Sequence, residues 1–386
     1  MSMTRQIVTL FAALAIFGAA SGLVMAADNY CSKTANNLNE ACLFDIEDDL
    51  SETWANCINV IDSDERASCK VKAERTWKRD RRTCGDQWEA RLTDCKRIGE
   101  KRYKNPLLKS TRTFIDPDEI GTTYGPNPYV NMTVGHTYVL RAGEDFEETV
   151  IVHVTDEVRE AEGYNGEPVL CRIVVDAVVI AEPDGMGGIE WEPDEVTDDY
   201  FAQSGNGNVY YCGEISRNFE DGYLDNLDGS FFSGVEFAKA GVLMRQNPEV
   251  GQVDRQEYAI GEAEDVIKYI NLSAVPKNKE GGQNPNDPAF ECIGEAVGDC
   301  LKTKDSSALE PESTEFKYYL KDVGFVLAVA MEDGEITGER EELVCVGDSL
   351  DVLSTPACGL GDPADVANLL EALCKMSPKA FCPDEI

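Results

Sequence analysis

Histidine is almost absent from this 386-residue chain: only His136 and His153 occur. Zinc sites built on imidazole and Ser-His or Cys-His catalytic pairs therefore have little to draw on. His153 alternates with Val150, Val152 and Val154, so it reads as a structural residue whose face depends on strand register. No C-x-x-C occurs, which removes the ligand spacing of thioredoxin-like sites and zinc knuckles, and no C-x-x-C-H occurs for c-type haem. G-x-S-x-G, H-E-x-x-H, P-loop and dinucleotide fingerprints are missing too. Asp225-Asn226-Leu227-Asp228-Gly229 hints at an EF-hand loop, but Leu224 stands where the first Asp is needed. Beyond residue 27 the longest apolar run is VGFVLAVAM, Val323 to Met331, far short of the ~20 residues of a membrane-spanning helix.

Positive charge is scarce as well. Lys and Arg number 35 against 72 Asp and Glu, a net charge of −37. The imbalance is local. Residues 28–104 hold 15 basic against 16 acidic side chains, whereas residues 105–386 hold 19 against 56. Phosphate backbones need a basic face, so nucleic acid is excluded as a partner. A cation or a basic protein is the expected partner, and a solvated acidic surface is the plainer explanation.

What is present begins with MSMTRQIVTLFAALAIFGAASGLVMAADNY. Arg5, the apolar stretch Ile7 to Phe17, and small residues before Ala26 and Ala27 read as a secretory signal peptide over 1–26, cleaved near Ala26/Ala27. The expected location is secreted or periplasmic, with no membrane span in the mature chain. All fourteen cysteines follow this segment, an even number suited to disulfides in an oxidising compartment.

Six of those cysteines form a mirror. Cys31, Cys42, Cys57, Cys69, Cys84 and Cys95 are spaced 11, 15, 12, 15 and 11 residues apart, symmetric about Ser63. Eleven residues advance about three helical turns and fifteen about four, so each arm keeps its cysteines on one face. Cysteines eleven apart on a helix lie about 16 Å apart, beyond disulfide reach, which excludes bonds within an arm. The nested set Cys31–Cys95, Cys42–Cys84 and Cys57–Cys69 remains. It predicts an antiparallel helical hairpin over 28–104, with helices at 28–62 and 64–100. Ile46, Leu50, Trp54 and Ile61 in one arm, and Ala73, Trp77, Trp88 and Leu92 in the other, are expected on the shared face. The first arm is acidic and the second basic, an attraction of about 0–1 kcal/mol per exposed pair. Twin-cysteine coiled-coil-helix hairpins are similar in mechanics but differ in spacing.

After a Pro-, Gly- and Thr-rich linker or edge segment at 105–135, the hydrophobic period falls to two. TVIVHV, VLCRIVVDAVVI, GNGNVYYCGEI, RQEYAI, KYINL, FKYYLKDVGFVLAV and EELVCV read as strands, with turns at Asn165-Gly166, Asp221-Gly222, Asp228-Gly229 and Asp333-Gly334. The fold class is α+β: the disulfide-stapled hairpin, then a mainly antiparallel β domain at 136–346, a curved sheet, half-barrel or sandwich. A tail at 347–386, with a short helix from Pro363 to Lys375, is expected to be pinned by disulfides. Cys345, Cys358, Cys374 and Cys382 allow three pairings. Cys171–Cys212, from neighbouring strand candidates, and Cys292–Cys300, flanking a short acidic loop, are the expected bonds of the β domain.

TDDYFAQSGNGNVYYCGEI, GVLMRQNPEVGQVDRQEYAIGEAEDV and FKYYLKDVGFVLAVAMEDGE resemble segments of a group of secreted or periplasmic bacterial β-rich proteins of unassigned activity. The resemblance spans about 114–346. It departs from the group at Tyr200, where a Trp is usual, and at Cys212, which replaces an aromatic; Cys171, Cys292 and Cys300 are further additions. It implies a secreted β domain. The Tyr318-Tyr319 to Val326 phrase is similar to curved-sheet domains of the lipoprotein-carrier type, an analogy of fold alone.

The densest carboxylate chemistry is YAIGEAEDV. Glu262, Glu264 and Asp265 lie within four residues and form the candidate metal site, with calcium the ion such oxygens would suit; an exposed acidic turn with no cofactor is the plainer reading. No catalytic residue is assigned. The sequence points to a binding, structural or interaction protein. The alternatives are a carrier of an apolar ligand in a curved-sheet cavity and a hydrolase using carboxylates such as Glu262 and Asp265.

Overall fold

The structure, a computed structural model, describes residues 28–143, 147–183, 185, 188–275, 298–332 and 334–382. Helix α1 (Tyr30–Ile58) and helix α2 (Ser63–Ile98) form the antiparallel hairpin. Asp62 caps α2 by accepting from the amides of Asp64 and Glu65, both at 2.9 Å, and Lys96 and Arg97 sit at the negative end of the helix dipole. The bonds Cys31–Cys95, Cys42–Cys84 and Cys57–Cys69 are all present, with Cα separations of 5.5, 5.8 and 5.7 Å.

The shared apolar face is thinner than the sequence suggests. Ile46 and Ala73 are buried, but Trp54 is 41% exposed and Ile61 96%. Two helices enclose only one narrow seam, and the cystines fill it. Trp77 and Trp88 lie at its margin, and their indole N–H groups donate to Glu47 and Asn36 at 3.1 and 2.8 Å. Among the described residues no ion pair joins the acidic arm to the basic arm. The opposed charges stand in solvent, where such pairs contribute little.

The β domain is one antiparallel sheet. Its strands are β1 (Thr137–Gly143), β2 (Glu148–Glu162), β3 (Pro168–Pro183), β4 (Ile189–Gln203), β5 (Val209–Glu220), β6 (Tyr223–Asn226), β7 (Phe231–Phe232), β8 (Lys239–Met244), β9 (Val253–Arg255), β10 (Glu257–Tyr258), β11 (Asp265–Ala274), β12 (Cys300–Ser307), β13 (Ser313–Leu320), β14 (Gly324–Glu332) and β15 (Glu335–Gly347). The order runs β10-β8-β5-β4-β3-β2-β1-β15-β14-β13-β12-β11-β9, with β6 and β7 both on β5. The two ends of this order, β10 and β9, are halves of one short run broken at Gln256. The sheet therefore curls until it is nearly a barrel, and the run 253–258 touches both edges. Gly241 on β8 allows this. A Cβ there would stand 1.8 Å from the carbonyl oxygen of Gln256.

Residues paired directly across an antiparallel ladder share a face, and neighbours along a strand alternate. Val174, Phe201, Tyr211, Ile267, Tyr269 and Leu301 gather inside the barrel. Ile115, Ile120 and Met132 pack into the same cluster. In the segment 105–135, expected as a linker or edge, Leu107 and Phe114 pack on the outer face and Phe114 bridges to Ser204 beyond β4, while the part from Ile115 to Met132 folds back into one end of the interior. Its apolar residues have nowhere drier to go. The alternate residues Val175, Ala177 and Val179 face outward beneath the C-terminal tail. There α3 (Pro363–Met376) covers the wall with Val366, Leu369 and Leu373, followed by the short α4 (Pro378–Phe381). The bonds Cys345–Cys358 and Cys374–Cys382 resolve the pairing of the tail.

Cys171–Cys212 is formed, but β3 and β5 are not neighbours as the sequence reading placed them; β4 runs between them. Both cysteines lie on the outer face, buried with Tyr200, Ala202 and Tyr210. Cys292 lies outside the described residues, so the expected Cys292–Cys300 bond does too.

Candidate functional site

The inward face carries an acidic band next to its apolar end. Its residues can be read from the ladder. Asp176 pairs across to Thr197, and Asp199 to Glu214. On the opposite wall Ile267, Asp305 and Glu315 form one row, and Tyr269, Thr303, Lys317, Ala328 and Glu341 form the next. Asp265 pairs with Ser307, which donates to its carboxyl. Protein surrounds these side chains, yet Asp176, Asp199, Glu214, Asp265 and Glu341 keep some accessible surface.

Burial among like charges governs their protonation. Asp176 is pushed up to about 8, first by burial and then by Asp199 and Glu195. Glu341 is raised to about 8 by burial and by Asp176. Burial lifts Asp305 to about 6, with Lys317 pulling the other way. Asp199, Glu257 and Asp265 are raised chiefly by burial, each with other carboxyls nearby. Lys317 is the cation these groups share. It lies 3.2 Å from Glu315 and 3.8 Å from Asp305, and it also opposes the charges of Asp176, Glu257, Asp265 and Glu341.

Two details refine the chemistry. Tyr211 bonds to both Asp199 and, at 2.7 Å, Glu214. A phenol has one proton, so it donates to one carboxyl and accepts from the other only when that one is protonated. The raised affinity of both carboxyls for protons supplies that state. Second, Asp176 Oδ1 and Asp305 Oδ2 are buried atoms without a hydrogen-bond partner. A buried acceptor left without a hydrogen bond costs about 1–3 kcal/mol; Asp305 Oδ2 meets only the Lys317 ammonium, at 3.8 Å, and Asp176 Oδ1 has no partner.

The expected calcium site at Glu262, Glu264 and Asp265 is not assembled. Glu262 is exposed on the loop before β11. Glu264 turns toward the hairpin, where Arg91 Nε and Nη2 donate to its two oxygens at 2.8 and 3.0 Å. Asp265, the first residue of β11, turns inward. Strand alternation separates what the sequence places side by side. Among the described residues no group of three His, Cys, Asp or Glu is arranged to hold a metal ion. The histidines lie elsewhere. His153 is buried on the outer face against Thr137 and Phe381, and burial lowers it to about 4. His136 contacts Asp348 through Nδ1 at 3.1 Å.

The sequence reading missed Asp176, Asp199, Glu214, Glu257, Asp305 and Glu341. One signal was available: Asp176 is a lone carboxylate inside the β-branched run VLCRIVVDAVVI.

Compared with family models, with curated proteins and with solved structures, the chain matches none. The site therefore rests on its own geometry.

Proposed function

We propose that this chain is a secreted or periplasmic binding protein whose barrel interior takes a small organic cation. The observation that carries the reading is the crowding of Asp176, Asp199, Glu214, Asp265, Asp305 and Glu341 on one inward face with Lys317 as the cation they share, and with Asp176 Oδ1 left without a hydrogen bond. The disulfides support the compartment, because such bonds persist where the surroundings are oxidising.

The spread of the carboxyls favours an amine over a bare metal ion. A metal needs several oxygens converging within about 2.6 Å of one point. A diamine instead donates from two separated ammonium groups, each a three-donor cation. Its methylene chain would lie against Tyr211, Tyr269 and Tyr319. An apolar cargo is disfavoured because Ile115, Ile120 and Met132 already occupy the apolar end.

Calorimetry with putrescine and spermidine at pH 7.5 tests the reading. Binding should release protons from the raised carboxyls, so the apparent heat should change with the ionisation enthalpy of the buffer. Asp176→Asn and Asp305→Asn should each weaken binding roughly tenfold, the worth of one charge-assisted hydrogen bond. No heat at millimolar amine would remove the proposal.

A further inference from the structure

We propose a second site of opposite charge, a small multivalent oxyanion bound in the cleft between the base of the hairpin and the barrel wall. The cleft is about 890 Å³, within the range of small-ligand sites. Tyr30, Lys33, Arg102 and Lys104 line one side of it, and Lys239, Arg255 and Tyr258 the other.

The charge of this cleft is the reverse of the chain's. Lys33, Lys101, Arg102, Lys104, Lys239 and Arg255 make no ion pair among the described residues. The two acids of the cleft are already engaged: Glu264 holds Arg91, and Glu100 accepts from Ser32. In a molecule of net charge −37, six cations around one cavity without an ion pair are a concentrated exception, with the buried Asp94 the one further carboxyl that opposes Arg255. They also crowd one another. Burial first, and then the charge of Arg255, lower the proton affinity of Lys239. An anion seated between them relieves that repulsion.

Several of these cations are held in place rather than free to sweep solvent. Lys239 Nζ donates to the carbonyl of Tyr103 at 3.0 Å and lies 4.6 Å from the centre of the Tyr258 ring. The Tyr258 ring stacks on Tyr103 at 4.8 Å, and Arg255 lies 5.4 Å from it. Arg102 lies 4.2 Å from the Tyr30 ring centre. The ring leaves the N–H edge of Arg102 available, whereas Arg255 Nη2 also donates to Cys31 Sγ at 3.7 Å; guanidinium edges match the oxygens of phosphate, sulfate or carboxylate. Size follows from the field around the site. A long polyanion would meet the acidic surface beyond the cleft, whereas a compact one is enclosed by the cations.

The probe is pyrophosphate, titrated calorimetrically into the full-length chain at pH 7 and low salt, with citrate as a parallel titrant. Pyrophosphate should bind, and Lys239→Met and Arg255→Met should each weaken it roughly tenfold. Lys70→Met, near the hairpin turn, should leave it unchanged. Lys101→Met combined with Lys104→Met changes only exposed side chains and gives the same reading should the inner variants not fold. Citrate binding with pyrophosphate inert keeps the site and makes its ligand a polycarboxylate. No binding of either at millimolar concentration, or equal binding by the wild type and all cleft variants, overturns the proposal. Amine binding in the barrel is measured separately, so either site can fail alone.

Discussion

Arg91 and Glu264 meet through two hydrogen bonds with both side chains nearly out of solvent, at 8% and 7% exposure. This pair fastens α2 to the loop that precedes β11. Glu264 also accepts from the amide of Gly261 at 2.9 Å, so the carboxylate organises its own loop as well. Arg91→Met should destabilise the protein by about 3–5 kcal/mol, because it leaves a buried carboxylate uncompensated. The double variant Arg91→Met with Glu264→Leu should recover most of that loss. Denaturant unfolding of the three variants checks both expectations, and a double variant no better than the single one would show that the pair is not the joint.

Gly241→Ala tests barrel closure. The new Cβ would meet the Gln256 carbonyl, a backbone atom that cannot rotate away. Overpacking of this kind costs about 1–3 kcal/mol or more. Hydrogen exchange should quicken first in β8 and in the run 253–258.

The raised carboxyls give stability a definite pH slope. Asp176 and Glu341 hold protons up to about pH 8 when folded, but release them near pH 4 when unfolded. Their contribution is therefore present below the unfolded value and is lost as pH rises through about 8. His153 acts in the opposite sense: its contribution is present above 6.5 and is lost as pH falls toward about 4. Between pH 9 and pH 7 His153 largely keeps its charge state, so its opposite effect adds little there. Thermal unfolding should show Tm rising as pH falls across that window, and Asp176→Asn should flatten the slope.

Removing disulfides from the hairpin should grade its stability by loop length. Cys57–Cys69 encloses a separation of 12 residues and Cys31–Cys95 one of 64. In the chain-entropy model their losses are about 3 and about 4 kcal/mol. The effect should be large relative to packing, since few apolar side chains of α1 and α2 are buried. Thermal unfolding of paired Cys→Ala variants measures the order.

The hairpin was legible because its signal lies in spacing, a one-dimensional property. A mirror of cysteines at helical intervals determines both the helices and their pairing. The site was not legible, because its residues are single carboxylates spread over strands far apart in sequence. Asp176 on β3 and Glu341 on β15 come near each other only because β2 and β1 pair between them. Whether a strand residue points in or out depends on register, and register emerges from all the strands together. Glu262, Glu264 and Asp265 misled for the converse reason. Their closeness along the chain becomes three separate directions once β11 begins at Asp265. The segment 105–135 carried turn residues throughout, which masked the three apolar side chains that seat it in the barrel.

The short run 253–258 has a bearing on how the molecule behaves among its neighbours. An open sheet of this size would present two long rows of unpaired amides and carbonyls, each a template for strand addition by another chain. Here β9 lies along β11 and β10 along β8, so six residues cover parts of both rims. Protection against edge-to-edge association thus depends on a single clasp, and a mutation that frees it turns a self-contained protein into one that can recruit copies of itself.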